Sequence, residues 1–253
     1  MANPITAGGG VSLAFDAASV SACGLVREEN QDHCFCDLDH GIFCVADGMG
    51  GGQGGAMASE IVCRRLRESF ASARDFADRL MHASEAITAA GREIRDYART
   101  AGYRQMATTV ATVFFEGGVE PFAFVGHVGD SRVYRYRDGC LLQLTVDHTV
   151  AETAKRNGAA GAMSTSLLDR LSHVLTRAVG VDIESRTDWR RTSVRAGDRF
   201  LLCSDGVYDM VSAADLAAAF AVGGTSAEIV ARIEKLVLDA GAGDNYTMIV
   251  IGI

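Results

Sequence analysis

Apolar residues in this chain gather into short runs that stop abruptly, often at an aspartate, and that spacing confines the fold more than any other feature. Runs at 16–23, 33–38, 41–46, 109–115, 121–128, 132–137, 140–145, 199–204 and 246–251 have the length of strands and are too short for helices. Asp39-His40-Gly41, Asp130-Ser131 and Asp138-Gly139, which separate neighbouring runs, are turn formers, so each joined pair is expected to be an antiparallel hairpin. Between about 55 and 102, Ala, Leu and Ile return every three or four residues among Arg and Glu. This predicts two long helices with a break near Ser72. A second pair is expected over 213–221 and 225–240, stopped by Gly241 and Gly243. The polar, Ala- and Gly-rich interval 147–172 breaks the strand pattern and reads as an inserted helical flap. The resulting fold class is α+β: two mainly antiparallel sheets packed as a β-sandwich, with helix pairs outside. Residues 11–253 read as one domain behind a flexible, Gly-rich segment at 1–10.

Composition excludes several functions. With 24 Lys and Arg against 32 Asp and Glu the formal charge is −8, and basic runs are missing, which opposes nucleic-acid binding. No apolar stretch approaches the ~18 residues of a membrane span, and the N-terminal residues lack a basic, leucine-rich leader. A cytoplasmic protein without membrane attachment is expected. The 7 Cys are odd in number and without CxxC spacing, so they are read as reduced. Cys34 and Cys36 fall on one face of a strand, but no second pair completes a zinc site.

The chemistry is carried by acids placed where strands stop. Asp47 ends GIFCVAD, Asp205 ends RFLLCSD, Asp130 ends FAFVGHVGD, and Asp244 precedes NYTMIVI. One Asp before Gly is an ordinary turn former. Central strand ends brought together, however, would crowd Asp47, Asp205 and Asp244 into one site, where they stay ionised only around a cation. An all-oxygen set selects Mg2+ or Mn2+, and Gly48, having no side chain, lets its carbonyl approach as a further ligand. Two such ions about 4 Å apart would lower the pKa of water held between them, which suits in-line hydrolysis of a phosphate ester. Arg27, flanked by Glu28 and Glu29, offers a fork that grips phosphate bidentately. Asp32, at the start of the next strand, is placed to accept hydrogen bonds from waters on the ions.

These residues lie in a series of motifs: RxxNQD at Arg27 to Asp32, VADGMGG at Val45 to Gly51, MATTVATVFF at Met106 to Phe115, HVGDSRVYRYRDG at His127 to Gly139, LTVDHT at Leu144 to Thr149, VLTRAVG at Val174 to Gly180, GDRFLLCSDG at Gly197 to Gly206, and DNYTMIVI at Asp244 to Ile251. In that order they make the chain resemble the PP2C-like (PPM) metal-dependent serine/threonine protein phosphatases, in the compact bacterial form. The resemblance implies a bridging role for Asp47 between two metals, a carbonyl ligand from Gly48, and further ligands from Asp205 and Asp244. It also implies a third metal held by Asp130 with Asp205, phosphate binding by Arg27, and contact of Asp32 with metal waters. The implied partners are phosphorylated proteins and an opposing serine/threonine kinase, and the flap is expected beside the active site.

The chain departs from the family at the leaving-group side. Met49 stands where animal members often have a histidine, and Gly52 and Ala56 stand where many bacterial members have His and Glu, so no general acid is evident. Two other readings compete with hydrolysis: a catalytically weak pseudophosphatase that binds a signalling partner, and a metal-dependent phosphodiesterase or nuclease. Retention of Asp47, Asp205 and Asp244 opposes the first, and the acidic charge opposes the second. His127 and His148 read as packing residues, His173 and Arg177 as possible substrate contacts, and Trp189-Arg190-Arg191 as an edge strand.

Overall fold

A computed structural model describes residues 13–51, 53–70, 76–181 and 186–253. The segment expected to be flexible at 1–10, Gly52, and the helix break near Ser72 lie outside the described residues. The chain opens with strands β1 (Asp16–Ala22), β2 (Asp32–Asp37) and β3 (Ile42–Met49), followed by helices α1 (Gln53–Phe70) and α2 (Phe76–Ala101). Strands β4 (Ala107–Thr108), β5 (Val110–Glu116), β6 (Phe122–Val128), β7 (Arg132–Arg137) and β8 (Cys140–Gln143) come next. The interval expected to be a flap holds helices α3 (Val150–Arg156) and α4 (Thr165–Ser172) around a single 3-10 turn. Strands β9 (Asp188–Ser193) and β10 (Arg199–Cys203), helices α5 (Asp205–Tyr208), α6 (Ala213–Ala221) and α7 (Ser226–Asp239), and strand β11 (Tyr246–Gly252) complete it.

The strands form two antiparallel sheets, ordered β1-β11-β10-β7-β8 and β2-β3-β5-β6-β9. Alternation along β3 shows why they stack. Phe43 and Val45 face the opposite sheet and pack with Phe200, Leu202 and Ile249 of β10 and β11, whereas Ile42, Cys44 and Ala46 face the other way, under Ile61, Leu66 and Ile87 of α1 and α2. A third cluster seals α6 and α7 onto the other sheet through Leu216, Ile233 and Met248. Each side of each sheet is thereby covered, and the core is formed in three layers between four. Helix starts are fixed locally: Thr149 caps α3, Ser164 caps α4, and Thr225 with Glu228 makes a full capping box on α7.

One hairpin expectation is corrected. The β2–β3 and β7–β8 pairs are antiparallel hairpins, but β6 and β7, joined at Asp130-Ser131, belong to different sheets. β6 pairs with β5 and β9, and β7 pairs with β10 and β8. Gly129, at φ +99°, redirects the chain from one layer to the other, and Ser131 anchors the crossing by a 2.6 Å hydroxyl contact with Thr109. The crossing sets Asp130 at the seam between the sheets. Trp189 does lie on an edge strand, β9, where it packs on Phe114 and donates to Ser84 Oγ at 3.0 Å.

Candidate active site

The strand directions bring the acids to one end of the sandwich. β3 and β6 both run antiparallel to β5, so Asp47 and Asp130 sit at the same edge of one sheet. In the other, β10 ends where the antiparallel β11 begins, which sets Asp205 beside Asp244. Asp47, Asp130, Asp205 and Asp244 together line a cleft of about 690 Å³, which Arg27 and Gly48 also line. Asp32 stands behind them, across the β2–β3 register from Asp47. β3 runs on past its apolar part to Met49 because Gly48 and Met49 pair with β4. Asp47 is therefore held inside a ladder, its carbonyl accepting from Thr109 N at 2.9 Å and Thr108 Oγ1 at 2.8 Å, its N–H donating to Thr109 Oγ1 at 3.0 Å.

Gly48 is a glycine for a further reason. A Cβ there would lie 2.5 Å from the carbonyl oxygen of Gln31 and closer still to that of Gly55. The first turn of α1 packs directly onto the strand end, backbone to backbone, and a Cβ on Gly55 would in turn lie 2.8 Å from the Gly48 carbonyl oxygen. Ser59, one turn on, donates to the Gln31 carbonyl at 2.6 Å.

Electrostatics make the cluster unstable as bare carboxylates. Burial first, then the charges of Asp32, Asp205 and Asp130, push the Asp47 carboxyl far above the usual range. Burial and neighbouring acids also raise Asp32 and Asp205, and push Asp130 up to about 7. Ser204 Oγ donates to Asp32 Oδ2 at 2.7 Å, while the buried Oδ1 finds no donor among the described residues. An orphaned acceptor beside mutually repelling carboxylates calls for a cation, and a donor set made only of oxygen suits hard ions such as Mg2+ and Mn2+.

The Arg27 loop is positioned by a residue to which the sequence reading gave no role. Asn245 accepts from Gln31 N at 2.9 Å and donates through Nδ2 to the carbonyls of Cys23 and Glu29, both at 2.9 Å. These bonds tie both ends of the loop to the start of β11. Arg27 Nη2 then donates to Asp244 Oδ2 at 2.7 Å, with more than half of the arginine side chain exposed. Asn245 was visible only as the second letter of a motif; an amide that works entirely through carbonyls and N–H groups leaves no spacing signal.

Among the histidines, His127 and His148 stack at 4.5 Å, and their ring nitrogens are engaged by Val146 O, Gly129 N and Asp188. Arg177 occupies Asp188 as well, at 2.8 and 3.1 Å, so this group packs and hydrogen-bonds, as expected. His173 lines the cleft, and Arg177 lies in a smaller hollow of about 300 Å³ that shares Met49, Gly50 and Leu175 with it. Cys34 and Cys36 pack against the inter-sheet core, where burial pushes the Cys34 thiol up to about 12. The thiols of the described residues are all free.

The sequence profile described as protein phosphatase 2C matches residues 26–232. The serine/threonine protein phosphatase PstP of Mycobacterium tuberculosis is 31% identical over 245 residues, which cover 95% of this chain and 45% of PstP, so the chain spans about half the length of that relative. A solved structure of PppA, a regulatory component of the T6SS in Pseudomonas aeruginosa, superposes with a TM-score of 0.83 at 28% identity, covering 95% of this chain and 98% of PppA. The catalytic domain of PstP in complex with two manganese ions superposes at 0.80 with 32% identity, covering 94% and 97% of the two chains.

Proposed function

Because this chain belongs to the protein phosphatase 2C family, we propose that it is a divalent-metal-dependent phosphatase acting on phosphoserine and phosphothreonine in proteins. The observation that carries the reading is the meeting of Asp47, Asp130, Asp205 and Asp244 in one cleft, with Arg27 on its wall. Asp47, the Gly48 carbonyl, Asp205 and Asp244 would hold a pair of Mn2+ or Mg2+ ions, and Asp130 with Asp205 a third. The manganese-bound PstP relative supports the choice of metal. When bound, such ions neutralise the acids and supply the Lewis acidity that makes water a nucleophile near neutral pH.

The remaining work falls to the chain itself. Arg27 commits one N–H to Asp244 and keeps the rest of its fork for the phosphate, so phosphate binding and the acid cluster are coupled through one ion pair. Asp32, fixed by Ser204, presents an acceptor behind Asp47 that orients water without touching the ester. The flap, which we take as 147–172, ends beside the cleft at His173, and we assign it the choice among phosphoproteins. We place the protein in cytoplasmic signalling, opposite a serine/threonine kinase. No helix among the described residues is long and apolar enough to cross a membrane. A binding-only pseudophosphatase would have no need of the full acid set, and a charge of −8 disfavours a nuclease.

Incubation with a phosphoserine or phosphothreonine peptide and Mn2+ should release phosphate, and a chelator should stop it. A nucleotide diester should stay intact under the same conditions. Release that persists in chelator, or turnover of the diester but not the peptide, contradicts the proposal.

A further inference from the structure

Serine and threonine leave a phosphate ester as alkoxides, which are poor leaving groups unless a proton reaches the oxygen as the bond to phosphorus breaks. The cleft has to supply that proton. The side chains beside its acids are mostly unable to: Met49, Gly50 and Gly51 carry no acidic proton, and Arg27 keeps its own at any working pH. Among the described residues lining the cleft, His173 is the one imidazole, a side chain whose ring nitrogens can both hold and hand on a proton.

Its setting suits a donor. His173 is the C-cap of α4, which fixes its backbone at the end of the flap. Its Nδ1 lies 3.5 Å from Asp209 Oδ2, a residue one helical turn beyond Asp205 and bonded back to it, Asp209 N to Asp205 O at 2.9 Å. Donor atoms of His173, Asp205 and Asp209 converge within 4.8 Å. With Nδ1 facing Asp209, Nε2 has no hydrogen bond among the described residues, and more than half of the side chain is exposed. The ring is thus turned by an acid on one side and open on the other.

We propose that His173 is the general acid for the leaving oxygen and that Asp209 is its positioning residue; the inference rests on the phosphatase reading above. As the water oxygen bonds to phosphorus, the phosphorus–Oγ bond breaks. Oγ takes that electron pair and the proton from Nε2, giving a free serine or threonine. The neutral imidazole then regains a proton from solvent, which has received one from the attacking water.

The test compares two esters in the manganese-loaded protein. A phosphoserine peptide needs leaving-group protonation; p-nitrophenyl phosphate, whose phenolate leaves unaided, does not. His173→Gln should lower kcat on the peptide by about 100-fold and on the aryl ester by less than about threefold. Asp209→Asn should show the same selectivity with a smaller loss. Calorimetric titration should find the same number of Mn2+ ions in His173→Gln and in the unaltered protein. Equal losses on both esters, no loss on the peptide, or a missing ion in His173→Gln would each overturn the assignment, the last by making His173 a ligand. If the unaltered protein hydrolyses neither ester, the phosphatase reading fails and this inference falls with it.

Discussion

Asp47→Asn should lower phosphopeptide turnover by at least about 1000-fold, roughly 4 kcal/mol of transition-state stabilisation, while making the chelated protein more stable. The loss follows from position. Asp47 is raised by Asp32, Asp205 and Asp130 together, so in the proposed site it would be the carboxylate shared between the ions. The gain follows from the same repulsion. Asparagine keeps the shape, and the backbone clamp by Thr108 and Thr109 does not involve the carboxylate.

The pH dependence has a definite sign. Acids raised in the folded state give stability that is full below their unfolded value of about 3.9 and is lost as pH rises through the folded values. For Asp130 that loss runs up to about pH 7. Chelated wild-type protein should therefore lose stability between pH 4 and 7, and Asp47→Asn should lose less, as followed by thermal melts across that range. A variant less stable than wild type in chelator at pH 7 would contradict the electrostatic account. An activity-for-stability exchange of this kind is common at functional sites.

Gly48→Ala carries the second large effect, and it acts through the fold. The new methyl would enter a gap bounded by the carbonyls of Gln31 and Gly55, neither of which is the end of a flexible side chain. Either α1 lifts from β3 or the strand end turns aside. Overpacking of this sort costs about 1–3 kcal/mol, and here the displaced atoms include the Gly48 carbonyl itself. The variant should lower the urea midpoint and weaken Mn2+ uptake together. A variant with wild-type midpoint and wild-type uptake would show that the close packing is not required.

How far the sequence could be read depended on how local each signal was. β3 and β11 were legible because their apolar runs are dense and bounded, and the acids at their ends were legible as breaks in that pattern. α6 matched its expected range because its apolar spacing and its stop are both local. The turn at Asp130-Ser131 was misread because a turn-forming pair reports a change of direction, not which sheet receives the next strand. That choice is made by pairing partners far away, Cys203 with Arg132 and Gly126 with Trp189. The short strand β4 escaped notice because two residues show no alternation, yet it holds Gly48 and Met49 in register. Gly55 and Asn245 were missed for a related reason: both act on backbone groups brought near by tertiary packing. The role inferred for His173 likewise depends on Asp209, at the end of α5, being brought beside it by tertiary packing.

Calorimetric titration with Mn2+ tests the shared ion site most directly, in the wild-type protein and in Asp47→Asn. The account predicts uptake of at least two ions by wild type, with the first two lost or greatly weakened when Asp47 becomes neutral. Wild-type protein that takes up no manganese, or an Asp47→Asn variant that binds it as wild type does, would contradict the claim that these distant aspartates act together as one metal site.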